Sequence, residues 1–406
     1  MKIEKLIKNK ALPSFCTSNM DVLKIILNYS KNKKFPCLIE CTSNQVNQFG
    51  GYTNKTPKQF SKEIKNIAKI IKFKKSNLLL GGDHLGPLPW SKKNHKISLK
   101  NSVNLINSFL SYDYCKIHID TSIKCLDDNF INNKKIFERT EYILKNTKIK
   151  NKIDKIFLVI GSEVPLSGSN DRGVISVTKN NRIKQEVNKF KQLLGTLFKK
   201  KCNFALVVEP GMRYLDYTTS KPKLSNFSNK KKFSIKNDFV YEAHSTDYQD
   251  YKVLKNLVNN NFKILKVGPE LTFNYSRSLL FMQKIEKKLK IKIKSNFENT
   301  IIHTMLDNQK YWKGYYKKNN NNLMLNSKLD RMRYYFNFAA VKKSINILKK
   351  NIDTLKKKEI IKLSNSKKIK KEILKYNNKN SNFQIINSSF IINTLNKYYS
   401  ACGYKL

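Results

Sequence analysis

The sequence has few acidic residues. Only 29 Asp and Glu stand against 80 Lys and Arg in 406 residues, which gives a formal net charge of +51. Such a charge is typical of proteins that bind nucleic acid or anionic membranes, and a polyanion binder is one hypothesis. The lysines, however, are spread along the chain among Asn and Ile and form no single basic arm. This distribution favours a solvated surface, and we expect no specific nucleic-acid site.

Cysteine pairs at metal-binding spacing and long apolar runs are also missing. The seven cysteines include no C-x-x-C pair, and their odd number is typical of reduced, buried thiols in the cytoplasm. No apolar stretch approaches the roughly 20 residues that span a bilayer. Residues 1–15 lack the apolar core of a signal peptide. We therefore expect a cytoplasmic protein without a membrane segment.

Two phosphate-binding fingerprints are absent. No G-x-x-x-x-G-K-[ST] motif occurs, so a P-loop kinase has no support. No G-x-G-x-x-G follows the first predicted strand, which is the motif of a dinucleotide-binding open sheet. The chain is nevertheless 40% hydrophobic and 11% aromatic, which predicts a globular protein with a sizeable core.

One stretch places reactive side chains directly after an apolar run. Residues 78–87 read LLLGGDHLGP. The leucines predict a buried strand, the glycines let the backbone bend, and Gly-Pro prevents continuation of the strand. Parallel strands bury both faces and keep their chemistry at their ends. We therefore expect Asp83 and His84 to lie at the tip of a parallel strand.

Similar apolar stretches recur along the chain and alternate with helical patterns. They cover residues 11–16, 36–41, 78–87, 116–122, 156–163, 204–211, 239–245 and 262–269. Eight such strands predict a (β/α)8 TIM barrel over residues 1–275, with a doubly wound open sheet as the alternative. Residues 276–406 are helical in pattern and basic. They are predicted to form a C-terminal helical extension that packs on the barrel or on a partner.

Acidic and imidazole side chains collect at the predicted strand ends. Three of the five histidines lie there, and a barrel builds its active site at this rim. His and carboxylate ligands suit a divalent metal such as Zn²⁺, for which we predict His84, Glu209 and His244. The predicted catalytic residues are Asp83, Glu163 and Lys266. A single histidine could equally be a satisfied core residue, so the prediction depends on the whole set.

The lysine and glycines near the strand ends have two interpretations each. Lys266 could form a Schiff base, although pairing with a phosphate or carboxylate is favoured because an unpaired buried charge is costly. The backbone N–H of Gly268 and the hydroxyl of Thr272 could hold a phosphate, and Gly50 and Gly51 could do the same or simply make a turn. The predicted substrate and phosphate contacts are Gly50, Gly51, His118, Asp120, Gly268 and Thr272.

Several motifs together resemble one family. Residues 39–53 (IECTSNQVNQFGGYT), 81–87 (GGDHLGP), 116–120 (KIHID), 241–249 (YEAHSTDYQ) and 265–269 (LKVGP) resemble the GatZ/KbaZ family, subunits of class II D-tagatose-1,6-bisphosphate aldolase. Tyr311-Trp312, Asp330-Arg331 and Tyr334-Tyr335 extend the resemblance into the C-terminal part. It covers nearly the whole chain, and the run over 39–53 is the most specific element.

The resemblance implies a barrel related to class II aldolases and a role in galactitol or N-acetylgalactosamine breakdown. In this family the Z subunit is regarded as non-catalytic, and it supports a separate catalytic Y subunit. Related proteins are similar to tagatose 6-phosphate 4-epimerases, and a kinase label also occurs in the family. The sequence departs from the family pattern at Ser18-Asn19-Met20, where an Ala-His-Pro is usual, and at 166–170, where Asp171 is the remaining nearby carboxylate.

Two main hypotheses follow. The first is a subunit that stabilises a catalytic aldolase partner. The second is a metal-dependent enzyme that acts alone on a ketohexose phosphate, in which the metal polarises a carbonyl and Asp83 transfers a proton during C3–C4 cleavage or C4 epimerisation.

Overall fold

The computed structural model describes residues 2–161, 177–199, 204–222, 227–316, 320–364, 366–375 and 381–406. Within them, eight parallel strands form a closed barrel in sequential order, and β8 pairs with β1. The strands are β1 (Leu12–Cys16), β2 (Cys37–Thr42), β3 (Leu78–Leu85), β4 (Lys116–Ile119), β5 (Phe157–Ile160), β6 (Phe204–Val207), β7 (Val240–Ala243) and β8 (Phe262–Val267). The predicted (β/α)8 barrel is confirmed, and the open sheet is excluded by the closure.

Helices cover the outside of the barrel and continue beyond it. In chain order they are α1 (Ile3–Ile7), α2 (Met20–Asn32), α3 (Pro57–Ile70), α4 (His95–Leu110), α5 (Asn133–Asn146), α6 (Asn180–Phe198), α7 (Phe227–Lys236), α8 (Tyr251–Asn259), α9 (Pro269–Glu286), α10 (Phe297–Asp307), α11 (Asn321–Asn326), α12 (Ala339–Asp353), α13 (Lys357–Ser364), α14 (Lys367–Lys375) and α15 (Asn382–Ala401). The predicted division at 275/276 lies inside α9 and stays a prediction. No helix in the described residues is long and apolar enough to cross a membrane.

Local sequence signals explain where the early helices begin. The Asn19 side chain accepts hydrogen bonds from the N–H groups of Asp21 (3.0 Å) and Val22 (3.1 Å), so it caps α2. Thr56 and Gln59 form a capping box at α3, where Pro57 occupies the first turn. These caps fix the directions in which the chain leaves β1 and the loop after β2.

The C-terminal helix α15 is part of the barrel wall. The Tyr399 hydroxyl donates to the carbonyl of Pro36 at 2.9 Å, just before β2, and the Tyr398 hydroxyl donates to the carbonyl of Thr246 at 2.7 Å, just after β7. The N–H of Ala11, next to β1, donates to the carbonyl of Cys402 at 3.0 Å. The last part of the chain therefore packs directly on its first strands.

Candidate active site

Two neighbouring residues of β3 both reach the barrel interior. The pairing of β3 with β4 shifts register between Gly82 and Leu85, and His84 has a φ of 49°, in the left-handed region. Successive side chains of a regular strand point to opposite faces, whereas a bulge redirects one of them. The irregularity explains how Asp83 and His84 are both buried beside the same group of residues.

Gly86 maintains this local path because no larger residue fits. A Cβ atom there would lie 1.7 Å from the carbonyl oxygen of Asp120, the residue that follows β4. The glycine therefore permits the close approach of the segments after β3 and β4. This approach brings Asp120 to the ring of His84.

Asp83 is the centre of the buried polar cluster. Its Oδ1 lies 2.8 Å from His118 Nδ1, its Oδ2 pairs with Lys266 Nζ, and His84 Nε2 is 3.4 Å from Oδ2. Burial raises the pKa of the Asp83 carboxyl, but His84, Lys266 and His118 outweigh burial and hold the pKa well below its usual range. Asp83 is therefore a carboxylate at neutral pH.

His84 lies between two carboxylates. Its Nδ1 is 2.9 Å from Asp120 Oδ2, while its Nε2 faces Asp83. Burial raises the pKa of Asp120, yet the hydrogen bond with His84 brings this pKa down to about 2. The ring centroid of His84 is 5.1 Å from those of both His118 and His244, so the three imidazoles form a compact group.

A buried lysine joins two glutamates deeper in the barrel. Lys116 Nζ lies 2.5 Å from Glu40 Oε1 and 2.8 Å from Glu242 Oε2, and all three side chains are fully buried. Burial raises the pKa of Glu242, but Lys116 and His244 reverse this effect and lower it. A Cβ atom at Gly81 would meet Glu40 at 2.9 Å, so the glycine leaves room for this ion network.

Two imidazole nitrogens in this cluster have no hydrogen-bond partner in the described residues. They are His118 Nε2 and His244 Nδ1. The opposite nitrogens contact carboxylates, His118 Nδ1 with Asp83 and His244 Nε2 with Glu242 at 2.8 Å. A carboxylate accepts, so His244 Nε2 carries the proton and His244 Nδ1 keeps a lone pair. His118 Nδ1 also faces the backbone N–H of His84 at 3.3 Å, but its shorter contact with the carboxylate of Asp83 favours the same tautomer. Burial lowers the pKa of both histidines, which keeps the rings neutral.

This arrangement fits a divalent cation. Ligand atoms of Asp83, His118, Glu242 and His244 lie within 4.8 Å of one another, all buried. A metal-bound imidazole commonly donates its other N–H to a carboxylate, which is the pairing seen here. The surrounding cluster contains four carboxylates and only two lysines, which leaves two negative charges when the imidazoles are neutral. The carboxylates are those of Glu40, Asp83, Asp120 and Glu242, and the lysines are Lys116 and Lys266. A divalent cation would balance that charge.

The predicted ligand set and the observed cluster share one residue. His244 belongs to both, whereas His84 contacts Asp83 and Asp120 beside the cluster. Glu209 Oε1 accepts from the N–H groups of Gly211 (2.7 Å) and Met212 (2.9 Å), which shapes the loop after β6. The metal roles of His84 and Glu209 stay predictions.

The remaining predicted catalytic residues divide between described and undescribed parts of the chain. Asp83 and Lys266 contact each other at the centre of the site. Glu163, together with Asp171 and the segment 166–170, lies outside the described residues.

The protein groups that were predicted to bind phosphate already donate hydrogen bonds to acceptors within the protein. Gly50 N–H donates to the Asn47 carbonyl at 2.9 Å, and Gly51 N–H donates to the Asn47 side chain at 3.1 Å. Gly268 N–H donates to Asp247 Oδ1 at 2.9 Å. The Thr272 hydroxyl donates to Asp330. A phosphate at any of these groups would have to displace a protein contact, and their phosphate roles stay predictions.

A cavity of about 550 Å³ opens at this end of the barrel. One side is the barrel rim, including Asp83, His84 and Lys266. The other side comes from the C-terminal part of the chain, including Arg333 and Tyr334. The ion cluster therefore faces a space that both parts of the molecule enclose.

Sequence reasoning missed three contributors to the site. No site role was predicted for Glu242, although it is one of the acidic residues at the predicted strand ends, or for Lys116. Each stands two residues before a predicted site histidine and therefore on the same face of its strand. Arg333 was not selected because a residue in the extension gives no sequence signal of where it packs. Alternation on β4 and β7 was the signal that could have found the first two.

A closed parallel barrel with a buried histidine and carboxylate cluster at its mouth defines a (β/α)8 protein with a candidate metal site. The family model described as D-tagatose-1,6-bisphosphate aldolase subunit GatZ/KbaZ-like matches residues 1–403, and the chain belongs to this family.

Individual relatives agree with that assignment. The D-tagatose-1,6-bisphosphate aldolase subunit GatZ of Escherichia coli O1:K1 / APEC is 32% identical over 356 residues, which are 84% of each chain. The same subunit of E. coli strain SE11 gives the same identity and coverage. A solved structure titled a probable tagatose 6 phosphate kinase from Sinorhizobium meliloti 1021 superposes with a TM-score of 0.83 at 24% identity and covers 97% of this chain and 100% of that one. This likeness shows the fold.

Proposed function

We propose that this protein is a subunit of a class II D-tagatose-1,6-bisphosphate aldolase, which supports the activity and stability of a catalytic Y-type subunit in galactitol or N-acetylgalactosamine catabolism. The observation that carries the proposal is the family match over residues 1–403, with relatives named as this subunit. The described cysteines are free, which suits a reducing cytoplasm.

The barrel mouth would hold a divalent metal, for which Zn²⁺ is the first candidate. His118 Nε2 and His244 Nδ1 would be ligands, with Glu242 and Asp83 as the carboxylate donors. Such a metal supplies Lewis-acid polarisation of a carbonyl oxygen when it is bound. Lys266 keeps Asp83 ionised, which favours its role as a metal ligand; because its low pKa makes it a weak proton acceptor, the proton-transfer role of Asp83 stays a prediction. A ketohexose phosphate has the size and polarity for this cavity.

Reconstitution with a purified catalytic Y-type subunit tests the supporting role. We expect that adding this chain raises the cleavage rate of tagatose 1,6-bisphosphate and lengthens the half-life of that activity. An unrelated lysine-rich protein at the same concentration is the control, because a charge of +51 could bind an acidic protein non-specifically. No change in either quantity at stoichiometric excess would refute the proposal.

A second candidate function is a metal-dependent tagatose 6-phosphate 4-epimerase that acts alone. The observation in its favour is the complete cluster of Asp83, His118, Glu242 and His244. The purified chain would then convert tagatose 6-phosphate without a partner and only with a divalent metal. The Asp83→Ala variant would lose this conversion. Absence of turnover with each of Zn²⁺, Mn²⁺ and Co²⁺ would exclude this function.

A further inference from the structure

The C-terminal part of the chain brings cationic side chains to the barrel mouth. A short 3-10 helix (Arg331–Tyr335) and the start of α12 line the same cavity as the ion cluster. Asp330 anchors this segment, since it accepts the hydroxyl hydrogen bond of Thr272 on α9. We call Arg331, Arg333 and Lys342 the extension wall; all three line the cavity.

Two of the five N–H donors of the Arg333 guanidinium have no acceptor among the described residues. Its Nη1 donates to the carbonyls of Leu329 (2.6 Å) and Asp330 (2.7 Å), and its Nη2 donates to the Tyr334 hydroxyl at 3.1 Å. A guanidinium has five N–H donors. The Nε–H and one Nη2–H therefore serve no acceptor among the described residues. The backbone contacts fix the guanidinium in place, which prepares it to bind an anion.

Lys342 is the second group available to an anion. Its side chain is exposed at the cavity, and no carboxylate in the described part of the chain lies within 4.0 Å of its ammonium. Its neighbour Lys343 is also exposed but does not line the cavity. The chain therefore offers a matched pair of lysines, one inside the candidate site and one outside it.

The electrostatic effect of the extension wall is visible at Tyr334. Burial raises the pKa of a phenol, but Arg333 and Arg331 outweigh burial and lower the pKa of Tyr334. Arg331 itself stacks on the ring of Tyr315, with its guanidinium carbon 3.1 Å from the ring centroid. The extension wall thus brings cationic side chains to the cavity, whereas the ion cluster is rich in carboxylates.

The N-terminus of α9, a usual place for a phosphate in a barrel, is already occupied by a side chain. Asp247 Oδ1 accepts from the N–H groups of Gly268 (2.9 Å) and Glu270 (2.8 Å). An internal carboxylate thus satisfies the donors that would hold an anion. A phosphoryl group entering this cavity finds its unsatisfied donors on the extension wall.

We propose that Arg333 and Lys342 bind the phosphoryl group of a ketohexose phosphate, so that the C-terminal extension, and not a barrel loop, recognises the phosphate end of the ligand. This proposal rests on the proposed function for the identity of the sugar. It assigns the sugar end to the ion cluster and the phosphate end to the opposite side of the cavity.

Calorimetric titration of the full-length chain with tagatose 6-phosphate and with unphosphorylated tagatose tests this assignment. We expect the phosphorylated sugar to bind at least tenfold more tightly. Arg333→Gln should weaken its binding about 10- to 100-fold, as expected for a lost charge-assisted hydrogen bond. Inorganic phosphate should compete with tagatose 6-phosphate but not with tagatose.

Lys342→Gln and Lys343→Gln keep the test decisive if Arg333→Gln fails to fold, because both side chains are exposed. Lys342→Gln should weaken tagatose 6-phosphate binding about 3- to 10-fold, and Lys343→Gln should leave it unchanged. Equal affinity for the two sugars, or equal behaviour of the two lysine variants, would overturn the proposal. Reconstitution with the catalytic subunit reports separately on the proposed function, since a stabilising role could persist in a variant that no longer distinguishes the phosphate.

Discussion

Replacing Lys116 with methionine should destabilise the protein strongly, because it removes the cation between two buried glutamates. Lys116 Nζ lies 2.5 Å from Glu40 and 2.8 Å from Glu242, and all three side chains are inaccessible to water. At an effective dielectric constant of about 20, Coulomb's law gives each contact roughly 6 kcal/mol of attraction. Desolvation of the three charges offsets much of this gain, and removal of one partner of a buried ion pair costs about 3–5 kcal/mol.

The loss is expected to depend on pH. Burial already raises the pKa of Glu40, and Lys116 opposes that effect. Without Lys116 this pKa rises further, so the folded variant binds a proton that the unfolded chain releases, and its stability falls as pH increases. The penalty of Lys116→Met relative to the parent chain should therefore be smaller at about pH 5 than at about pH 8.

Urea unfolding followed by circular dichroism at both pH values measures this effect in metal-free buffer. A second variant, Lys116→Met combined with Glu40→Gln, removes one carboxylate as well and should recover about 1–2 kcal/mol. Lys343→Met, at an exposed position, is the control and should change stability by less than about 0.5 kcal/mol. A penalty below about 1 kcal/mol for Lys116→Met, with no recovery in the double variant, would refute the ion network.

Three other perturbations test separate features. Burial raises the pKa of Asp330 to about 7, so its contribution to stability is full below about pH 4 and is lost as pH rises through 7. Asp330→Asn should reduce this decline by about 1–3 kcal/mol in urea unfolding between pH 4 and 8, and an unchanged slope would contradict the assignment. Gly86→Ala should destabilise the fold by about 3 kcal/mol or more, because its Cβ would overlap a backbone oxygen. Gly195→Ala, at a helical position where no described atom outside the helix's own backbone lies within 4 Å of the added Cβ, should stabilise the fold by about 0.5–1 kcal/mol; similar effects of the two changes would argue against the close approach. Zn²⁺ at 100 times its dissociation constant should add about 2.7 kcal/mol to thermal stability, and His118→Ala or His244→Ala should abolish this gain at the same concentration.

The barrel could be predicted because its strands are apolar runs separated by amphipathic helices. The stretch predicted as a strand at residues 262–269 contains β8 at 262–267, and Asn19, a common type of N-cap residue, sets the start of α2. The short helix α1 was missed because five residues show too little periodicity. Its Ile3 and Ile7 nevertheless pack under the barrel with Leu12.

The candidate site was predictable in location but not in its contacts. That Asp83, His84, His118 and His244 would meet follows from the rule that parallel strands carry their chemistry at one end. Which nitrogen faces which carboxylate depends on the bulge in β3 and on pairing between distant strands, and neither is encoded locally. Occupation of the α9 N-terminus by Asp247 likewise depends on a loop conformation that no short motif specifies.

The hydrogen bonds from α15 to the segments beside β1 and β2 have a consequence for biosynthesis. A nascent chain leaves the ribosome with its first strands hundreds of residues before Tyr399 and Cys402 emerge. Until then α15 does not cover the segments beside β1 and β2. The apolar surface of these segments is exposed and can bind chaperones or aggregate. Assembly of this barrel should therefore finish only after Tyr399 and Cys402 have left the ribosome, so a nonsense mutation upstream of these residues should be damaging even when it leaves all eight strands intact.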